Sequence, residues 1–144
     1  MSELEKSSFR FVNFIVRESH IVLNSQGEFQ INVNFTPKGY ILKSLNQFHL
    51  ELSVSIAEQS ERFHVNLVSI GVFEFDEGAD LEAYKSSFFT LNAPAILYPY
   101  IRAYVSTLTT QSGVFNVTLP TYNLSALGET LKQNIIEIEP DPAP

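Results

Sequence analysis

A chain of 144 residues is long enough for one domain with a real core, and its 44% hydrophobic content and mean hydropathy of +0.03 exclude a disordered polymer. Nine basic against sixteen acidic residues leave a net charge of −7, too negative to build a phosphate-neutralising patch, so nucleic acid is excluded as a partner. With no cysteine there is no disulfide framework, no thiolate zinc site and no thiol nucleophile.

The amino terminus, MSELEKSSF, carries acids where a secretion signal needs positive charge. No stretch reaches the ~20 apolar residues of a membrane helix. The expectation is a cytoplasmic protein without membrane insertion: a single domain over 1–139 and an acidic, proline-rich, disordered tail at 140–144.

Residues 9–23, FRFVNFIVRESHIVL, read as a long strand whose apolar positions change parity. Phe9 and Phe11 share one face, whereas Val12, Phe14 and Val16 take the other, which predicts a bulge or a strand buried on both sides. Asn24 to Gly27 is a turn. Phe29, Ile31, Val33 and Phe35 then alternate with Gln30, Asn32 and Asn34, giving one packed and one wet face, until Thr36 to Gly39 ends the run. Tyr40 to Asn46 is an apolar connection. The clearest strand follows, with Phe48, Leu50, Leu52, Val54 and Ile56 against polar neighbours. Its partner begins at Phe63 after a polar turn and runs to Phe75. Val68, Ile70 and Val72 make that partner's second face apolar as well, so helix is expected on one side of the sheet and another subunit on the other.

The acid-rich EFDEGADLE, Glu74 to Glu82, leads into the helical part. Strands first and helices last predict an α+β fold with a four-stranded antiparallel sheet. Asn92 to Gly113 is the long helix, with Asn92 as its cap, Pro94 in the first turn, Gly113 as its close and a kink at Pro99. Ile96, Leu97, Tyr100, Ile101, Tyr104, Val105 and Leu108, with Ala103, fill an apolar arc of roughly 200°, about twice what a surface helix needs. Such a helix needs two partners, its own sheet and a second copy of the molecule, and these seven side chains are the expected oligomer interface. After a short extended piece stopped by Pro120, Asn123 caps a predicted second helix in which Leu124, Leu127, Leu131, Ile135 and Ile138 share an arc of ~80°.

Motifs for chemistry are missing. His20, His49 and His64 stand alone, without metal-ligand spacing. Asp76, Glu77, Asp80 and Glu82 lack the ligand order of a calcium loop and suit a helix start. The six glycines form no phosphate cradle and there is no nucleophile elbow, so neither catalysis nor a cofactor is expected.

The segment NAPAILYPYIRAYVSTLTTQSGVFNVTLPTYNLSAL, Asn92 to Leu127, resembles the SecB family of export chaperones. The resemblance rests on the Tyr98-Pro99-Tyr100 step, Arg102, the extended piece with its proline, and the capped Asn123 to Leu127. Gly71-Val72-Phe73 fits as well, and order and spacing agree from about Phe9 to Ile135. It implies a sheet followed by a long helix and a second carboxy-terminal helix, assembled as a homotetrameric dimer of dimers. The implied activity is that of an ATP-independent holdase, which keeps unfolded or pre-secretory polypeptides in apolar grooves and hands them to the export machinery through the SecA translocase ATPase. Client segments would bury their own apolar side chains and add backbone hydrogen bonds along an edge strand. The groove lining expected from this alignment is Ile31, Val33, Phe35, Leu124, Leu127 and Leu131, with Tyr40 and Leu42 at one end beside Ile41.

Two departures from the family pattern stand out. Asn24 to Glu28 is little more than a turn where the family has a longer crossover, and Glu18, Val22, His64 and Asn66 hold little charge where the family meets SecA with an acidic surface. They keep open a SecB-like chaperone dedicated to a private client such as an antitoxin. A hydrophobic small-molecule binder or hot-dog-type enzyme also combines such a sheet with a long helix, although hot-dog chains place that helix before most of their strands.

Overall fold

The period-two alternation of the first half forms four strands, as the pattern dictates. In the computed structural model, which describes residues 7–28, 30–114 and 116–138, these are β1 (Phe9–Leu23), β2 (Ile31–Leu42), β3 (Gln47–Glu58) and β4 (Phe63–Phe75). They form an antiparallel sheet. A fifth strand, β5 (Ile135–Ile138), joins it in parallel beside Gly39–Leu42 of β2, giving the order β1-β4-β3-β2-β5. The sheet thus has five strands where the sequence pattern predicts four.

The parity change in β1 is a pair of register shifts against β4, between Phe11 and Asn13 and between Val16 and Glu18. These bulges return Phe14, Val16, Ile21 and Leu23 to the same core face as Phe9 and Phe11. β1 and β2 are not neighbours, so the short 24–30 connection crosses the ends of β4 and β3. It is tied down there. Asn24 donates its N–H to the Arg62 carbonyl at 2.7 Å, and Arg62 donates from Nη2 to the carbonyl of Glu28 at 3.4 Å. Glu58, buried at the end of β3, accepts from the Arg62 guanidinium at 2.9 Å and from its backbone N–H at 3.1 Å.

The second half covers one face of the sheet. Asp80 caps the short α1 (Leu81–Lys85) by accepting from the Ala83 N–H. A wide π turn at Phe88–Asn92 then feeds the long, kinked α2 (Ala93–Gln111), which carries Pro99 inside it. Asn92 is therefore already helical and makes no side-chain cap, contrary to the sequence expectation. Phe89 anchors this entry, stacked on Phe48 with ring centroids 4.1 Å apart and surrounded by Phe9, Phe75 and Tyr84. Further along, a Cβ on Gly71 of β4 would lie 2.9 Å from the Leu97 side chain, so the missing Cβ is what lets α2 settle on the sheet.

The predicted second helix is broken into three pieces. Leu124–Leu127 is a 3-10 turn capped by Asn123, α3 (Gly128–Gln133) is short, and Ile135 and Ile138 belong to β5. Asn134 leaves the helical region, and the β-branched pair Ile135-Ile136 suits a pleated edge better than a helix. Glu137 fixes the new strand by pairing with Lys43 at 2.9 Å and with Lys85 at 3.3 Å. Phe29 and the tail at 140–144 lie outside the described residues.

Two outcomes follow from this packing. The Arg62 hydrogen bonds hold the Glu58 carboxyl at about 2, below its ordinary 4.5. A depressed carboxylate stabilises the fold above its unfolded pKa and stops doing so as pH falls through the folded one. Acid unfolding should therefore include a Glu58 component between about pH 4.5 and 2, absent in Glu58→Gln, as followed by circular dichroism against pH. At the helix–sheet contact, Gly71→Ala should cost about 1–3 kcal/mol by overpacking against Leu97. In a Leu97→Ala background that penalty should shrink, as read from urea midpoints.

Candidate functional site

The faces of α2 are divided by what they touch. Leu97, Ile101, Val105 and Thr109 are fully buried against the rest of the chain. Ile96 and Tyr100 stay 36% and 45% exposed, with Tyr104 and Leu108 partly covered beside them. Tyr100 leans over β1, its ring 4.8 Å from Phe11 and 5.7 Å from Phe14. A third face presents Ala95, Tyr98, Pro99, Arg102, Ala103 and Ser106 to a groove of about 660 Å³.

The other wall of this groove is the 116–125 segment, and α2 holds it with side-chain bonds. Thr109 accepts from the Val117 N–H at 2.9 Å while its hydroxyl donates back to the Val105 carbonyl. Ser106 donates to Asn116 Oδ1 at 3.1 Å, and the Tyr98 hydroxyl donates to the Pro120 carbonyl. Val117 and Leu119 are buried below, so the wall is also pinned by its apolar side chains. Burial pushes the Tyr98 phenol above its ordinary pKa, which keeps it a donor at neutral pH. Thr118, Thr121, Tyr122, Asn123, Leu124 and Ser125 turn toward the opening, and Leu91 stands 48% exposed at its end.

The chemistry on offer is apolar contact plus a few polar points. Pro99 has no N–H, so the Ala95 carbonyl cannot receive its usual helical bond. Arg102 is exposed in the groove and has no ion-pair partner among the described residues. No group of three or more metal-ligating side chains occurs among them either. No helix is long and apolar enough to cross a membrane.

The residues expected from the sequence are distributed unevenly around this site. Leu124 lines the groove. Phe35 reaches its rim, with its ring 5.5 Å from Tyr122 and 6.0 Å from Tyr98. Ile31 and Val33 are half-buried on the same inner face, and Leu127 packs against the core. Leu131 is fully buried and offers no surface. Tyr40 and Leu42 lie on the opposite face of the sheet, because Ile41 between them points into the core. Of the seven expected interface residues, Leu97, Ile101 and Val105 are spent on the chain's own sheet. Ile96, Tyr100, Tyr104 and Leu108 keep accessible surface. The rest of the groove's lining, with Ala95, Pro99, Arg102 and Ser106 of α2 among it, was missed by sequence reasoning. Only the off-arc position of Arg102 and Ser106 hinted at a third face.

Comparison with known proteins accords with this geometry. The family model described as preprotein translocase subunit SecB matches residues 8–134. An uncharacterized protein of Methanocaldococcus jannaschii is 27% identical over 137 residues, covering 89% of this chain and 87% of its own. The fold is similar to that of Rv1957, a SecB-like chaperone of Mycobacterium tuberculosis solved in complex with a ChAD peptide from the HigA1 antitoxin. That match has a TM-score of 0.66 at 18% identity, covering 80% of this chain and 91% of the other. A protein of unknown function from Streptococcus agalactiae superposes more loosely, with a TM-score of 0.44 at 13% identity over 78% of this chain and 97% of its own. With its four antiparallel strands, long helix and connecting wall inside the matched span, the chain belongs to the SecB family.

Proposed function

We propose that the protein is an ATP-independent holdase that keeps non-native polypeptides in the groove between α2 and the 116–125 segment. The observation that carries this reading is an open apolar groove whose far wall is hydrogen-bonded in place. Burying apolar side chains at ~25 cal/mol per Å² is non-directional, so such a groove accepts many sequences. The Arg102 guanidinium supplies a polar contact for an extended main chain.

Self-association completes the molecule in this reading. Ile96, Tyr100, Tyr104 and Leu108 on the free face of α2 meet their counterparts in a second copy, and a dimer of dimers buries them. The work is done in the cytoplasm, without catalysis or cofactor.

A second reading, a chaperone serving a private client without handing it to SecA, is favoured by the outer sheet face. Glu51 there is paired with Arg17 at 2.8 Å, and His20, His49, His64, Asn66, Val22 and Val68 share the surface with Glu18. Such a face offers little negative charge to a partner that docks on acids.

Suppression of aggregation of a chemically denatured test protein, without nucleotide, checks the activity; no suppression at stoichiometric amounts would overturn it. Ala95→Glu places a charge on an exposed groove position and should weaken capture about tenfold while leaving the melting temperature within a few degrees. Ile96→Asp combined with Tyr100→Asp should split the assembly on a sizing column without unfolding the chain. Ile101→Asp, by contrast, should unfold it, since that side chain is fully buried.

A further inference from the structure

A strand held permanently on the edge of a half-solvated sheet turns its apolar side chains to the core and its polar ones to water. β5 departs from that pattern, and it lies past residue 134, where the match to the SecB family ends. Pairing sets Ile135 beside Gly39 and Glu137 beside Ile41, so these two share the inward side, while Ile136 and Ile138 turn outward with Tyr40 and Leu42. Ile135 packs against the core through the gap that Gly39 leaves. A Cβ on Gly39 would lie 2.8 Å from the Phe48 ring and 3.0 Å from the Ile135 side chain. Ile136 and Ile138 stay exposed and gain little from the seat.

The second inward position carries a charge. One Glu137 oxygen meets Nζ of Lys43, the residue after β2, at 2.9 Å, and the other meets Nζ of Lys85 on α1 at 3.3 Å. Lys85 is shared, because Glu82 holds the same ammonium at 3.0 Å. Three segments distant in sequence are thus joined at one carboxylate: β5, the turn after β2, and α1. The Lys43 and Glu137 side chains are 45% and 40% exposed, so counterions reach them and screen the attraction.

We propose that β5 is an electrostatically latched strap: Glu137 holds it on β2 at low ionic strength, and added salt lets it lift away as a unit while the four antiparallel strands and α2 stay folded. The inference is independent of the client-binding reading. Its ground is the division of labour within the strand, which has one apolar anchor, Ile135, and one doubly paired carboxylate. A single exposed ion pair contributes little to a whole domain, yet here two of them act on a segment with few other contacts. The main-chain bond from the Gly39 N–H to the Asn134 carbonyl, at 3.0 Å, opens with the strap and reports on it.

The test is hydrogen exchange on the full-length protein, followed amide by amide at one pH. Raising sodium chloride from about 20 mM to about 500 mM should speed exchange at Gly39 and Ile41 about fivefold and leave Leu50, in the middle of the sheet, unchanged. Glu137→Gln keeps the shape and removes the charge, so it should show the fast rate already at low salt and no further response. Glu137→Lys, set against two ammonium groups, should open the strap further, and adding Lys43→Glu should bring back part of the protection. Salt-independent exchange at Gly39 and Ile41, or a Glu137→Gln variant as protected as the wild type, overturns the latch, because Ile135 and the main chain would then hold the strand alone. A salt response equally large at Leu50 overturns it as well, since the sheet and not the strap would be opening. The salt series on the wild type decides even where a variant fails to fold.

Discussion

The contact on which the molecule depends is the seating of α2 on the inner face of the sheet. Leu97, Ile101 and Val105 lose all solvent exposure there, each contributing about 1.5–3 kcal/mol of apolar burial. Gly71 sets how close the helix comes, because the strand has no Cβ where Leu97 presses. Once that stripe is committed, the rotation of the helix is fixed and its other faces have no choice. One side must carry Ile96 and Tyr100, and the other must carry Ala95, Pro99 and Arg102. The groove is thus a by-product of core packing, made permanent by Thr109 and Tyr98 bonding to the segment that faces it.

Aromatic packing performs the same service at the other end of the sheet. Phe9, Phe48, Phe73, Phe75, Tyr84, Phe88 and Phe89 form one cluster under the entry to α2. With no tryptophan and no cysteine, phenylalanine supplies the bulk that orders this corner. Arg62, meanwhile, gathers the β3–β4 hairpin and the 24–30 crossover around the buried Glu58. A connection that short cannot add a wall to the groove, which leaves Tyr122 and Phe35 as the aromatic end.

Much of this is legible in the amino-acid sequence. The alternation from Phe48 to Ile56 reported its strand, and the parity change after Phe11 reported either a bulge or a strand buried on both sides, of which the register shifts against β4 are the bulge. The α2 helix was legible in its extent but not in its allegiance. An arc of apolar residues says that something covers them and not which partner does, so Leu97, Ile101 and Val105 could not be told from Ile96 and Tyr100. The end of the chain misled for a different reason. Leu124, Leu127, Leu131, Ile135 and Ile138 fit a helical arc, yet their spacing also suits a turn, a short helix and a strand in succession. The choice between them was made by the open edge of β2, which is remote in sequence and invisible to local pattern. Tyr40 and Leu42 lie on the sheet face away from the groove through a one-residue question of parity, seen only in Ile41 turning inward.

The fifth strand has a further consequence. It joins β2 through a seam of only four paired positions, formed between segments far apart in sequence. Its outward side chains Ile136 and Ile138 remain 56% and 37% exposed. A seam so short, closed across so long a stretch of chain, has few contacts to offset the entropy of its closure. Peeling it back gives up the contact of Ile135 with the core and frees Gly39 and Ile41. How much of the β2 edge stands open on that side is therefore set by whether β5 is seated.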